Sequence, residues 1–455
     1  MCAIFGAVVS ATYRRRASTI LNHIIRASHE RGRDGRGFLT VCEGNNNISL
    51  EFRETTRAED WRDINFFTEE WGRTVLIGNL RAEPTTEYVA RKAEYDQQPY
   101  TCGQWSIVHN GTIANDKELR THALPTSIDS AAIAEVLAAS KDSSLEEAFA
   151  NSIFKIKGSY AILAVHDARP NHLWVAANYR PIWYAVEDGN AFFASARQYF
   201  PSHLVPQMLR PYTTAVFEGA DMEVLENLRL PLPQRRALVV CSGGLDSVVA
   251  ATYVKRKLGL DTALVHFTYG SRAESKEIVA TADVARALGV PLFIQPLPIY
   301  KPSDSPLLQA DSKIAGGEAG AEFAHEWVPA RNLVMLSVAT AFAEANGFDT
   351  IALGNNLEEA GAYPDNEPEF IARFGDLLPF AVGDGKHINV IQPVGNMMKH
   401  EIVALGHKLG APMHLTWSCY RNGPVHCGTC GPCYMRRKAF EINKLPEVIP
   451  YANEG

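Results

Sequence analysis

Two rhythms of apolar and polar residues divide the chain. Over roughly the first half, short apolar runs recur at Ala3–Val9, Thr74–Leu80, Tyr160–His166, Leu173–Ala177 and Ala191–Ser195. Their length and their β-branched and aromatic content predict strands. Two longer stretches, around Ala17–Ala27 and Ser130–Ser140, read as helices. Strands outnumber helices and come in clusters, which predicts stacked antiparallel sheets with helices outside. The segment Leu230-Pro-Leu-Pro-Gln-Arg-Arg236 interrupts this pattern with two prolines and a charge cluster, and reads as a linker over 230–236 between domains 1–229 and 237–455. Beyond it strands and helices alternate. Ala237–Cys241, Ala263–Phe267, Leu292–Gln295 and Thr350–Leu353 read as strands; Leu245–Lys257, Ser275–Leu288 and Arg331–Asn346 read as helices. That order predicts a parallel sheet covered on both faces. The Pro-, Ser-, Gly- and Ala-rich stretch Tyr300–Glu326 reads as a mobile loop over an active site.

Composition narrows the class. A chain of 455 residues exceeds one ordinary core, so two to three domains are expected. The 46% apolar and 21% charged fractions fit a globular protein, and no apolar run approaches the ~18 residues of a membrane span. No secretory signal is visible at the start, so a cytoplasmic location without a membrane partner is expected. The net charge is −7 and neither half is basic, which argues against holding nucleic acid mainly by phosphate neutralisation; a small basic groove remains compatible. Oligomeric state is not legible. Of eight cysteines, Cys419, Cys427, Cys430 and Cys433 cluster near one end and Cys2 stands at the other. In a reducing compartment that distribution points to metal binding or catalysis before disulfides. Cys42, Cys102 and Cys241 are expected to pack in strands.

Once Met1 is removed, the Cys2 thiol lies beside a free α-amine that titrates near ~7.7–8.0, so one residue supplies nucleophile and base. Gly78-Asn-Leu-Arg81 ends in a guanidinium suited to a carboxylate. Asn110 and Gly111 can offer a side-chain amide and a backbone N–H to an oxyanion. Asp129 precedes a predicted helix, where a lone aspartate is more often an N-cap. Together with the glycine-punctuated His29–Gly37 loop, Lys157-Gly-Ser-Tyr-Ala161 and Arg180-Pro181, these residues resemble class II glutamine amidotransferase domains, which are N-terminal-nucleophile (Ntn) hydrolases with an αββα sandwich. The resemblance runs from Cys2 to about Gln198. It implies that Cys2 attacks the glutamine amide, Arg81 and Asp129 bind the α-carboxylate and α-amino group, and Asn110 and Gly111 form the oxyanion hole. One departure is Arg33, where the family commonly has proline.

Between a predicted strand and helix lies Ser242-Gly243-Gly244-Leu245-Asp246-Ser247. Its glycines allow close backbone approach to phosphate, the helix N-terminus favours the anion, the serines add hydroxyls, and Asp246 suits magnesium or the ribose-phosphate region. The segment resembles the PP-loop of ATP pyrophosphatases, which form adenylated intermediates. Farther on, Phe267-Thr-Tyr-Gly270, Trp327-Val-Pro-Ala-Arg-Asn332, Tyr363-Pro-Asp365, Pro368-Glu-Phe370, Lys399-His-Glu-Ile402 and Thr416-Trp-Ser-Cys-Tyr420 resemble 7-cyano-7-deazaguanine synthases, the QueC family. Cys419-x7-Cys427-x2-Cys430-x2-Cys433 offers four thiolates for a closed, structural zinc site. His426 is a less favoured alternative ligand.

The resemblance implies a PP-loop α/β domain that uses ATP and magnesium, with acceptor-substrate candidates Arg331, Asn332, Asn356, Tyr363, Asp365, Glu369, Lys399 and Arg436. Asp365-Asn-Glu-Pro-Glu-Phe370 departs from the family's usual Asp-Cys-Arg-Pro-Glu-Phe, and Glu359 stands at a usual aspartate. Glu367 in place of a cation near a substrate carboxylate weakens binding of a free acid. The partners expected are therefore glutamine and a 7-deazaguanine, free or within tRNA or DNA. The first expectation is conversion of 7-cyano-7-deazaguanine to an archaeosine-type formamidine. The second is 7-cyano-7-deazaguanine synthesis from 7-carboxy-7-deazaguanine. An asparagine-synthetase-like amidotransferase and a non-catalytic zinc-ribbon nucleic-acid binder are lesser alternatives.

Overall fold

Strand β1 (Ala3–Val9) has all seven residues buried, so both of its faces must be covered. Ala3, Phe5, Ala7 and Val9 pack on Ile20, Leu21 and Ile24 of the helix Arg14–Ser28, whose apolar positions recur at three and four. Ile4 and Val8 face the other way, into a core shared with Val108, Leu163, Val165 and Leu173 of a second sheet. This alternation is the period-two signature of a strand between two layers.

The computed structural model describes residues 2–32, 34–42, 47–55, 63–67, 72–82, 93–227, 235–314, 316–317, 326–360 and 363–452. The chain forms two compact units, Met1–Arg229 and Leu230–Gly455. The greater part of the expected linker, 230–234, and the Arg33 departure lie outside the described residues. Arg236, placed in the linker from sequence, instead opens a strand, because Ala237–Val239 continue it into the core.

In the first unit the remaining strands are β2 (Gly35–Cys42), β3 (Asn47–Glu54), β4 (Thr74–Arg81), β5 (Tyr100–Cys102), β6 (Trp105–Ile113), β7 (Gly158–His166), β8 (His172–Ala177), β9 (Trp183–Glu187), β10 (Asn190–Ala194), β11 (Gln207–Met208), β12 (Thr213–Glu218) and β13 (Asp221–Asn227). Among the described residues they form a seven-stranded antiparallel sheet, β11-β9-β10-β1-β4-β2-β3, and a six-stranded one, β13-β12-β8-β7-β6-β5. The outer face of the second sheet carries the helices Ala131–Ala138 and Leu145–Phe154, the latter through Phe149 stacked on Trp105 at 6.0 Å between centroids. Helix, sheet, sheet and helix make the expected αββα sandwich. The sequence marked five of these strands; of those it missed, β5 and β11 are only three and two residues long.

Among the described residues the second unit has five parallel strands, β14 (Arg236–Val240), β15 (Asp261–Thr268), β16 (Leu292–Pro296), β17 (Thr350–Ala352) and β18 (Asn389–Ile391), in the order β16-β15-β14-β17-β18. Leu238 packs toward the helices Arg331–Asn346 and Pro368–Ala381, and Ala237 and Val239 toward Leu245–Thr252 and Glu274–Leu288. Strand order reverses between β14 and β17, the point at which open parallel sheets bind ligands beyond their carboxyl ends. The predicted helix over Leu245–Lys257 passes into a π-turn at Tyr253–Lys257. The described part of the expected loop 300–326 is docked: Leu307 and Leu308 pack with Val328 beside Tyr269, Tyr300 and Tyr420.

Candidate functional site

In the first unit the expected glutaminase residues collect where β1 and β4 pair, at Ala3 with Leu80. The Cys2 thiol lies 3.4 Å from the Ala82 backbone nitrogen, directly after Arg81. Arg81 is buried and donates from Nη1 to the Asp96 carbonyl at 2.9 Å. Two residues before it, fully buried Asn79 reaches across to the second sheet, where its Nδ2 lies 3.4 Å from the His109 carbonyl. Asn110 follows. Its Nδ2 is buried and has no hydrogen-bond partner among the described residues, a donor awaiting an acceptor. At Gly111 any Cβ would sit 1.9 Å from the Ser159 carbonyl oxygen, so the strand admits only glycine there. Asp129 is buried; its Oδ2 accepts from Ile113 N at 2.6 Å and its Oδ1 from Ser130 N at 2.5 Å. It therefore ties the end of β6 to the start of the helix Ala131–Ala138.

Asn79 and His109 were missed as candidates. His109 Nδ1 meets the Ser130 hydroxyl at 2.7 Å, and burial pulls its pKa down, with Asp129 opposing. It holds the Asp129 segment against the strand that carries Asn110. The adjacent His109-Asn110-Gly111 triplet was the available sequence signal.

In the second unit Ser242–Ser247 turns from β14 into the helix Leu245–Thr252. Gly243 has φ +80°, and a Cβ there would lie 2.8 Å from Glu277 O and Thr281 Oγ1. Ser242 Oγ accepts from Gly244 N at 3.2 Å and lies 3.3 Å from Ser247 Oγ. Asp246 uses Oδ2 to receive Asn356 Nδ2 at 3.0 Å and the Lys399 ammonium, while its buried Oδ1 has no partner among the described residues. That oxygen suits a magnesium ion. The cleft around the loop has about 1380 Å³ of empty volume, mouth included.

The structure brings Arg331, Asn332 and Lys399 to this cleft. Arg331 donates to the Tyr269 hydroxyl at 3.2 Å and lies over its ring. Asn332 Nδ2 is 2.5 Å from Asn366 Oδ1, and Asn366 lines the wall as well. Lys399 pairs with Asp246 of the Ser242–Ser247 loop and lines the same cleft. Asn356 likewise serves Asp246. Asp365 holds Asn332 from behind, Oδ2 accepting from its backbone N at 2.9 Å, and Tyr363 stacks on Trp327 at 6.1 Å. Glu369 is exposed and paired with Arg373 at 2.8 Å, away from the cleft. Arg436 borders the cleft, but its guanidinium is already engaged with Glu447 at 2.8 Å, Thr416 at 2.5 Å and Met413 O at 2.9 Å. It organises the wall and has little left for a ligand. Glu367, read from sequence as a charge facing the acceptor, is not among the lining residues. The Glu359 side chain lies outside the described residues. Glu277, unmarked in the sequence, is a lining residue; burial pushes its carboxyl up, partly offset by the Ser271 hydroxyl at 2.7 Å and by Arg331.

The ligand atoms of Cys419, Cys427, Cys430 and Cys433 all lie within 4.8 Å of one another. A tetrahedron of thiolates at ~2.3 Å from a metal has sulfur–sulfur edges of about 3.8 Å, and two of the contacts here are 4.0 Å. Backbone N–H groups of Arg421, Thr429 and Cys430 point at the sulfurs at 3.3–3.4 Å, as suits thiolate charge. The set fits a metal ion. His426 is turned elsewhere, its Nε2 accepting from Ser418 N at 3.0 Å.

A model of the queuosine biosynthesis protein QueC matches residues 236–444, and a glutamine amidotransferase domain model matches 86–202. A protein from Sulfurisphaera tokodaii named 7-cyano-7-deazaguanine synthase 2 is 41% identical over 466 residues, covering all of both chains. The chain belongs to the 7-cyano-7-deazaguanine synthase family. A 7-cyano-7-deazaguanine synthase from Sulfolobus acidocaldarius is also 41% identical, over 99% of this chain and 100% of its own. Another, from Methanothrix thermoacetophila, is 42% identical over 222 residues, 48% of this chain and 98% of its own. This member is the fused form, with a glutamine amidotransferase of the Ntn type preceding the QueC unit. It is an enzyme, a deazaguanine-related amidotransferase that uses ATP to make a C–N bond. No helix among the described residues is long and apolar enough to cross a membrane.

Proposed function

We propose that the chain hydrolyses glutamine at Cys2 and uses the ammonia, with ATP, to convert 7-carboxy-7-deazaguanine to 7-cyano-7-deazaguanine. The observation that carries this reading is the complete phosphate loop, with Asp246 held by Lys399 and Asn356, opening on a cleft that Arg331 and Asn332 also line. The Cys2 thiolate attacks the glutamine amide carbon, Asn110 Nδ2 and Gly111 N–H receive the oxyanion, and Arg81 and Asp129 hold the α-carboxylate and α-amino group. Water then releases glutamate from the thioester.

Making a nitrile from a carboxylate and ammonia removes two oxygen atoms. Each is a poor leaving group until a carboxylate or amide oxygen attacks the α-phosphorus of ATP and displaces pyrophosphate. Ammonia then displaces AMP to give the amide. A second adenylation takes the amide oxygen away as AMP while the nitrogen loses its protons. Two ATP per nitrile follow. Asp246 would hold a magnesium ion, which would neutralise phosphate charge, and the four cysteines would hold a structural zinc.

The expectation of the formamidine rested on the likeness to fused amidotransferase–QueC proteins and on the departures at Glu367 and Glu359; of these two, Glu367 does not line the cleft. That product stays as a second reading because Asn366, at the position where the family motif has cysteine, does line it beside Asn332. Adding ammonia to a nitrile removes no oxygen and requires no adenylation, so nucleotide accounting separates the two readings. Incubation with glutamine, ATP and magnesium, with the free acid, the free nitrile, or nitrile-bearing tRNA or DNA, should give a nitrile and two AMP from the acid alone. Turnover of only the nitrile acceptors would reject this first reading.

A further inference from the structure

Four buried side-chain atoms without partners among the described residues belong to residues that line this one cleft: Asp246 Oδ1, His266 Nε2, Asn355 Nδ2 and Trp417 Nε1. Buried polar atoms in proteins are mostly satisfied, so four of them on residues that line one cleft point to groups waiting for a ligand. His266 is the most specific of them. It lies on β15, next to the strand that feeds the phosphate loop, and is 2% exposed. Its Nδ1 is 2.9 Å from the Cys241 carbonyl, which can only accept, so the ring proton sits on Nδ1. The Thr281 hydroxyl, 3.3 Å from the same nitrogen, already donates to the Glu277 carbonyl at 2.7 Å and is left as an acceptor there. Both contacts fix one tautomer. Nε2 then carries a lone pair and no proton, and burial lowers the ring's pKa, which keeps it neutral.

A neutral acceptor, oriented by the residue that precedes the phosphate loop, calls for a neutral N–H donor on the nucleotide. We propose that His266 Nε2 accepts a hydrogen bond from the exocyclic 6-amino group of ATP and so makes the cleft selective for adenine. This rests on the ATP-using reading and adds the residue that reads the base. The 6-oxo group of guanine would place a second acceptor against the lone pair, which a buried site rejects.

The test is direct binding to the full chain with magnesium and no acceptor, by calorimetry, comparing ATP, GTP and purine riboside triphosphate, which differs from ATP only by lacking the 6-amino group. Wild type should bind ATP about tenfold more tightly than purine riboside triphosphate, the order of one neutral hydrogen bond. His266→Phe should bring ATP down to the analogue's affinity while leaving the analogue unchanged; His266→Gln, which restores an acceptor, should keep part of the gap. Equal binding of ATP and analogue by the wild type would overturn the inference whether or not His266→Phe folds. An undiminished gap in a folded His266→Phe would overturn it too. Binding of no nucleotide by the wild type would sink the ATP-using reading itself, and this inference with it.

Discussion

At the scale of single residues, the glutaminase makes a sharp prediction. Cys2→Ala should abolish glutamate release from glutamine yet leave nitrile formation intact when ammonium is supplied instead; loss of both would break the assignment of separate roles to the two units. Asn110→Ala removes a buried donor that has no partner among the described residues, and should lower glutaminase kcat by about 10²–10³ with little change in KM. A large KM effect would show that Asn110 binds ground-state glutamine instead. The residues legible in the sequence were those whose chemistry is written in adjacent positions: Cys2, Ser242–Ser247, and the four cysteines. Those missed act across the fold. His109 matters because Ser130 and Ser159 come within reach, and Asn79 because it crosses between sheets. Glu369 and Arg436 sit inside recognisable motifs, and the fold pairs their side chains with Arg373 and Glu447.

At the scale of elements, the loop between β14 and its helix is narrowly determined. Gly243 combines a left-handed backbone with 2.8 Å approaches to Glu277 O and Thr281 Oγ1. Gly243→Ala should cost about 1–3 kcal/mol of stability in the second unit and abolish ATP binding, read by urea denaturation and calorimetry. An alanine variant with wild-type ATP affinity would show that the loop is adaptable. The alternation of strands and helices announced the parallel sheet, whose central strands β14 and β15 are buried along most of their length. It could not announce β18, three residues of which none is fully buried. Nor did it mark the helices Lys399–Leu409 and Gly431–Ile442, whose mixed patterns gain meaning only once they pack on each other and on the phosphate-loop helix.

At the scale of the whole molecule, the two units have separate cores and should respond separately to metal removal. A chelator should lower the melting transition of the second unit and spare the first; two-transition calorimetry would show it, and an unchanged profile would deny the cysteines a structural metal. Acid should weaken both units. Burial holds His109, His166 and His172 in the first unit and His266 in the second below their ordinary pKa. The unfolded chain then binds more protons, so the histidine contribution is complete above the unfolded value of ~6.5 and is lost as pH falls below it. Urea midpoints should fall between pH 7.5 and pH 5.5; a flat profile would contradict the burial of these rings.

Trp417, two residues before the first cysteine of the cluster, gives its backbone N–H to the Gly243 carbonyl at 2.9 Å. The turn that grips phosphate is thus braced by the segment that the thiolates organise. Under metal starvation, a cell would then accumulate copies that still break down glutamine but no longer energise an acceptor. Nitrogen would be squandered as free ammonium, and glutamate release in excess of deazaguanine product under zinc limitation is the imbalance to measure.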